Sequence, residues 1–309
     1  MRNQKFINQI LLLLCTLLPV LSHADRLTEF KPIAQRPAYV LPNFKKTWML
    51  DIHISELRDE NILDGNNHLT FLQPKNTFLN TIPSEITRIH IYGNGLTKNT
   101  TAVVYGNITR DVFEDLVIKK VIQPKQRLTL IEKKDIKSGS QTITKLVFKS
   151  TNLKVKKVIY YADVTVGIWT ASSNITELRR WMDHPYGYSK TNNSKMLSVW
   201  MEVKSTLNNI QKDNGEDNYL LQSKILKLTK SFLATIQRND DSLYFATKLT
   251  TSNRSNTNNL AKIIDSLIAT DSKNSSSILS KIFLNINKEH KDKTITISSQ
   301  VLKTTFNNK

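Results

Sequence analysis

The chain holds 309 residues, 39% of them hydrophobic, with a single cysteine, 8 glycines and a formal net charge of +18. That apolar content excludes a disordered chain, one cysteine excludes a disulfide framework or a cysteine metal cluster, and so few glycines exclude glycine-rich cofactor loops, so no cofactor is expected. The charge favours anionic partners. Lysines, however, outnumber arginines 33 to 11, which argues against nucleic acid, because arginine is the better bidentate reader of phosphate and guanine.

Residues 1–24 read as a secretory signal peptide. Arg2 and Lys5 form a basic start, Ile7 to Leu21 is an apolar run dominated by leucine, and Ser22-His23-Ala24 offers small residues before a cut. The run is too short, and broken by Pro19, for a membrane span of about 20 residues. No span is therefore expected after cleavage. Cys15 leaves with this leader, and the leucines before it, where lipid processing wants a small residue, argue against a lipid anchor. A large exported chain without thiols fits the periplasm or surroundings of a bacterial cell.

Residues 25–47, with Pro32, Pro37 and Pro42, read as an extended lead-in. Trp48 to Ser55 alternates as a half-buried strand. Ile86 to Tyr92 and Thr101 to Tyr105 read as strands. A helix starts near Thr109 or Asp111 with Phe113, Leu116 and Val117 on one face, and Pro124 stops it. Arg127–Ile131 and Thr142–Phe148 form a hairpin across Lys137-Ser138-Gly139-Ser140. Strands follow at Val155–Tyr161 and Val164–Thr170, then a helix opened by the capping box Asn174-Ile175-Thr176-Glu177. The spacing of Met196, Leu197, Trp200, Val203 and Leu207 predicts a helix over 194–207. Phe232–Ile236 and Leu243–Leu249 make a hairpin, Leu260 to Ile268 a helix, and Ile282–Ile286 pairs with Thr294–Ile297 across Glu289 to Asp292.

Residues 86–150 and 229–299 both run strand, strand, helix, strand, strand. The fold class is therefore α+β, with two similar halves, each an antiparallel sheet with helices packed on one face. The halves span 48–190 and 191–309, after the leader (1–24) and the lead-in (25–47).

Val103-Val104-Tyr105-Gly106-Asn107 leads into a helix with Phe113, and Trp169-Thr170-Ala171-Ser172-Ser173 leads into Leu178. With the order of elements down to Phe306, this resembles bacterial exported proteins of unknown function built from tandem ferredoxin-like α+β halves. The resemblance implies fold and export, and no reaction.

Chemistry-bearing motifs are sparse. No Gly-x-Ser-x-Gly elbow occurs, and paired acids such as Asp240-Asp241 sit in turns. On neighbouring strands, Asp51, His53 and His90 would converge on a metal such as zinc, although Arg88 beside His90 would repel a cation. Trp181, Asp183, His184, Tyr186 and Tyr188 follow one another closely enough to form a ligand-contacting lip, or else a helix end and a Pro/Gly turn packed on the second half. Lys145, Lys149, Lys154, Lys156 and Lys157 lie on adjoining strands. They would meet an anionic surface or guard a sheet edge against aggregation. The reading that results is an exported envelope protein acting as a binding or structural module, its partner an envelope protein or an anionic surface. The alternatives are an exported hydrolase with an unrecognised site, or a binder of anionic polymer or membrane surface.

Overall fold

The computed structural model describes residues 46–59, 82–94, 99–116, 128–150, 156–183, 195–214, 224–239, 241–271 and 286–302. The leader, residues 25–45 of the lead-in, Lys154, His184, Tyr186 and Tyr188 lie outside the described residues. So does Pro124, the expected helix stop.

In chain order, β1 (Trp48–His53) passes directly into α1 (Ile54–Asp59). Strands β2 (Ile86–Gly93) and β3 (Thr100–Gly106) lead to α2 (Arg110–Glu114), whose first turn is capped by the Thr109 hydroxyl accepting from the Val112 amide. Then come β4 (Leu128–Ser138), β5 (Gln141–Ser150), β6 (Lys156–Thr165), β7 (Ile168–Ser172) and α3 (Ile175–Asp183). The rest is β8 (Lys195–Glu202), α4 (Val203–Asn214), α5 (Lys224–Leu228), β9 (Thr229–Asn239), β10 (Ser242–Thr251), α6 (Arg254–Asp271), β11 (Asn287–Lys291) and β12 (Thr294–Leu302).

The twelve strands among the described residues join one antiparallel sheet, in the order β11-β12-β10-β9-β8-β1-β2-β3-β7-β6-β5-β4. The fold class is α+β. The strands β1 and β8 are the seam, with Leu50 opposite Val199. Because side chains alternate across a strand, register decides which residues share a face. The row Ile52–Ile89–Val104–Trp169 crosses β1, β2, β3 and β7. The row Met201–Phe232–Leu249–Ile295 crosses β8, β9, β10 and β12 in the same way. Both rows belong to the large core beneath α1, α2, α4, α5 and α6, which contribute Ile54, Leu57, Phe113, Val203, Ile225 and Leu260.

The expectation of helices on a single face is corrected. The helix α3 packs on the other face, where Leu178 and Met182 meet Met49, Tyr92, Val103 and Ile143. The expected helix at 194–207 is also corrected. Residues 195–202 are strand β8, and the helix begins only at Val203. Trp200 and Val203 suit a helical stripe as sequence, but the seam position between β1 and β9 supplies ladder partners on both sides, and tertiary pairing overrides the weak helical pattern. The last hairpin turns at Asp292-Lys293, so Glu289 to Lys291 lie in β11. Asp292 takes a positive φ of 52° there, which aspartate tolerates.

Candidate functional site

The most heavily charged interior of the described chain lies between β1, β2 and α3. Alternation directs Met49, Asp51 and His53 to the α3 face. Antiparallel register sets Tyr92, His90 and Arg88 directly across from them. The Arg88 guanidinium donates from Nε and Nη2 to the two carboxylate oxygens of Asp51, at 2.8 and 2.5 Å. His53 Nε2 stands 4.0 Å and His90 Nδ1 3.9 Å from the same carboxylate. Asp51, His53 and His90 do converge, as read from the sequence. Arg88, however, fills the position a metal would take, and no group of three or more His, Cys, Asp or Glu suited to a metal ion occurs among the described residues. A planar five-donor cation thus satisfies both oxygens of the carboxylate that the metal reading would use.

One strand position further, Tyr92 extends the network to the helix. Its hydroxyl donates to Glu177 Oε1 at 2.6 Å and accepts from Trp181 Nε1 at 2.6 Å. Arg180 Nη1 lies 3.6 Å from the other Glu177 oxygen, and Lys46 Nζ stands 3.7 Å above the Tyr92 ring. Glu177 is only 3% exposed. Its expected role in a capping box is therefore corrected. Asn174 Oδ1 accepts from the Thr176 amide at the helix start, while Glu177 turns inward to Tyr92.

Burial sets the protonation of this cluster. It raises the Asp51 carboxyl, but the adjacent His90 imidazole and the hydrogen-bonded Arg88 guanidinium outweigh it and hold Asp51 well below the ordinary carboxylate range. His53 and His90 are held below the usual imidazole value, by burial first and then by neighbouring cations. Tyr92 is pushed well above a free phenol, first by burial and then by the Glu177 charge, so it stays a donor. Burial brings Lys46 down to about 8, with the Glu177 charge opposing. Each carboxylate here is thus committed to a protein donor, and the network ties α3 to the sheet.

Of the proposed lip, Trp181 and Asp183 are described. Trp181 points its indole N–H inward to Tyr92, which makes it a helix-anchoring residue, and Asp183 is exposed at the end of α3.

A second polar group, missed in the sequence, lies on the opposite face by α2. Arg110 donates to Glu114 Oε1 (3.0 Å), Asp135 Oδ1 (2.9 Å) and Thr144 Oγ1 (2.7 Å), and Tyr161 donates to Glu114. Arg110, Thr142, Thr144, Tyr161, Asp163 and Trp169 line an open cleft of about 390 Å³ beside it. The four-residue spacing of Arg110 and Glu114 on a helix was the available signal.

The lysines divide by register. Lys145, Lys149 and Lys156 share the α3 face, together with Lys134 of β4, while Lys157 takes the other face opposite Phe148. Among the described residues no helix is long and apolar enough to cross a membrane.

No protein-family model and no curated protein matches this chain. Among solved structures, TP0453 in crystal form III aligns over 84% of this chain and 91% of its own at 7% identity and a TM-score of 0.43. TP0453 in crystal form I aligns over 84% and 90%, at 7% identity and a TM-score of 0.42. Likeness at that level carries no inference about this chain.

Proposed function

We propose that this protein is an exported module of the cell envelope that binds or supports a partner and catalyses no reaction. One observation carries the reading. Among the described residues, the densest buried cluster of acids, bases and a tyrosine is closed upon itself, with Asp51 held by Arg88 and Glu177 by Tyr92. A catalytic cluster needs an acid or base turned toward a reacting group, whereas this one joins a helix to a sheet. Export rests on the leader, with its basic start, apolar run and small residues at 22–24.

The experiment has two parts. N-terminal sequencing of native protein from fractionated cells is expected to return Asp25 from a compartment outside the cytosol; Met1 on a cytosolic product overturns export. A panel of esterase, phosphatase, glycosidase and peptidase substrates is expected to show no turnover. Turnover that disappears in a Lys46→Met or Asp51→Asn variant overturns the non-enzymatic reading.

The same reading takes the two halves as copies of one unit, in line with the resemblance to tandem ferredoxin-like proteins. Both sides of the seam run strand, helical segment (α1 on one side, α4 and α5 on the other), hairpin, helix, then a return whose last strand lies beside the third. The register supports this strand by strand. Ile54 and Val203 open equivalent helices, Ile86 and Thr229 begin equivalent strands, and Gly106 and Thr251 end the next. The row through Ile52 and the row through Met201 then coincide position by position. A crystal structure whose halves superpose on these equivalences supports duplication. A one-residue offset, which would exchange the faces, overturns it.

A further inference from the structure

The lysines at the β4–β5–β6 end stand in two opposed pairs. Lys134 lies directly across from Lys145, and Lys149 directly across from Lys156, all four on the α3 face. Three residues of β5 lie between the pairs, a four-residue step of about 13 Å along the strand. Like charges directly opposite each other across a ladder are destabilising. Glu132 relieves one of them, with a carboxylate oxygen 2.8 Å from Lys145 Nζ. The side chains of Lys134, Lys149 and Lys156 have no ion pair among the described residues.

Edge protection explains Lys134, which lies on the outermost strand, and Lys156, which lies where β6 runs past its pairing with β7. Lys145 and Lys149 lie on β5, which is paired with β4 and β6 at both positions, so no free edge there needs guarding. The hairpin β4–β5 is also the part of the first half with no counterpart beyond β11 and β12 in the second. It is therefore not needed to close the shared architecture.

Resting on the reading of a binding module, we infer that this face binds an extended acidic polysaccharide. The chain runs along the strands, so that its sulfate, phosphate or carboxylate groups meet first one lysine pair and then the other. Two charge pairs in line along the strands fit a linear polymer. The cations of the patch, which surround the single carboxylate of Glu132, are all lysines, point charges without the planar fork that reads phosphate bidentately. Val147, which lies between the pairs on this face, is 4% exposed, so it offers no apolar wedge to a bilayer.

The test uses the full-length exported protein with heparin as the probe, at a series of salt concentrations. Vesicles containing phosphatidylglycerol and single-stranded DNA are run in parallel. The variant Lys134→Gln/Lys149→Gln/Lys156→Gln leaves the Lys145–Glu132 ion pair in place, and Lys157→Gln on the opposite face is the control. Wild type is expected to bind heparin with an affinity that falls as salt rises. The triple variant is expected to lose at least about tenfold and to show a shallower salt slope, because fewer charges are neutralised. Its thermal midpoint is expected to be equal or higher, since repulsion is removed. The control is expected to bind as wild type does. Unchanged heparin affinity in the triple variant overturns the proposal, as does tighter binding to vesicles or DNA than to heparin at equal salt. If the triple variant does not fold, Lys149→Gln and Lys156→Gln singly carry the same test on exposed side chains. Loss of this surface with no hydrolytic turnover leaves the module reading standing, whereas hydrolytic turnover defeats that reading without touching this one.

Discussion

At the scale of single residues, the Asp51–Arg88 pair is a bidentate ion pair buried between β1, β2 and α3. Its side chains are 12% and 14% exposed. Removing one partner from a buried pair leaves an uncompensated charge, which costs more than removing both. Arg88→Ala is therefore expected to destabilise the fold by about 3 kcal/mol. The double variant Asp51→Ala/Arg88→Ala is expected to lose less than the sum of the single losses, read from urea unfolding as a double-mutant cycle. Tyr92→Phe removes one hydroxyl that serves both Glu177 and Trp181. Leaving those buried groups short of a partner is expected to cost about 2 kcal/mol in the same assay. The imidazoles set a pH dependence. His53 and His90 titrate below 6.5 when folded, so the unfolded chain takes up protons more readily as pH falls through 6.5, and stability declines there. Asp51 acts in the same direction at lower pH, since the stabilisation it contributes above 3.8 is lost as pH falls below that value. Urea midpoints on either side of pH 6.5 are expected to show the decline, with His90→Gln and His53→Gln each flattening it; a midpoint constant across that range refutes the assignment.

At the scale of elements, two glycines in backbone contact have opposite tolerances. Gly106 ends β3 at a φ of 153°, and a Cβ there would stand 2.2 Å from the Glu85 carbonyl oxygen and 2.8 Å from Ile86 Cα. Both obstacles are backbone, and neither can rotate away. Gly106→Ala is expected to cost about 3 kcal/mol or more. Gly167, in the β6–β7 turn, has a φ of 78° and nothing nearer than the Gly106 oxygen at 3.6 Å. The left-handed region accepts asparagine, so Gly167→Asn is expected to stay within about 1 kcal/mol. Thermal unfolding of the two variants side by side checks the contrast. The helix α3 owes its place to the same kind of local detail: an apolar face of Leu178 and Met182, and two inward polar anchors, Glu177 and Trp181.

At the scale of the whole molecule, β1 and β8 make one sheet of the two sides, and the core beneath is one cluster reaching from Phe148 to Ile297. A sheet continuous across its seam is expected to unfold in a single transition, with circular dichroism and tryptophan fluorescence coinciding. Two separated transitions would mean that the seam is a weak interface. The sides are alike in their apolar rows and unlike in their polar ones. Under the proposed equivalence of the two sides, Asp51 and His90 fall at Trp200 and Leu233. The buried charge network, α3 and the β4–β5 hairpin with its lysines all belong to the first side.

Period-2 alternation in Trp48–Ser55, Ile86–Tyr92 and Leu243–Leu249 was enough to place strands, although Ile54 and Ser55 turn out to open α1, because a half-buried strand writes its face into every second residue. The Thr109 cap and the Lys137–Ser140 turn were legible for the same local reason: each is a property of neighbouring residues. The placing of Asp51 near His90 also followed from two strand patterns and the assumption that they adjoin. What filled that place did not. Arg88 grips Asp51 through a register that pairs residues 37 apart, and Glu177 meets Tyr92 across 85. Residues 195–202 read as helix alone and became strand between two neighbours. The facing of Lys134 with Lys145 and of Lys149 with Lys156 is likewise a matter of register. Local chemistry fixes which elements form; only the long-range pairing of those elements decides which charges meet, since a shift of one residue sends every side chain to the other face.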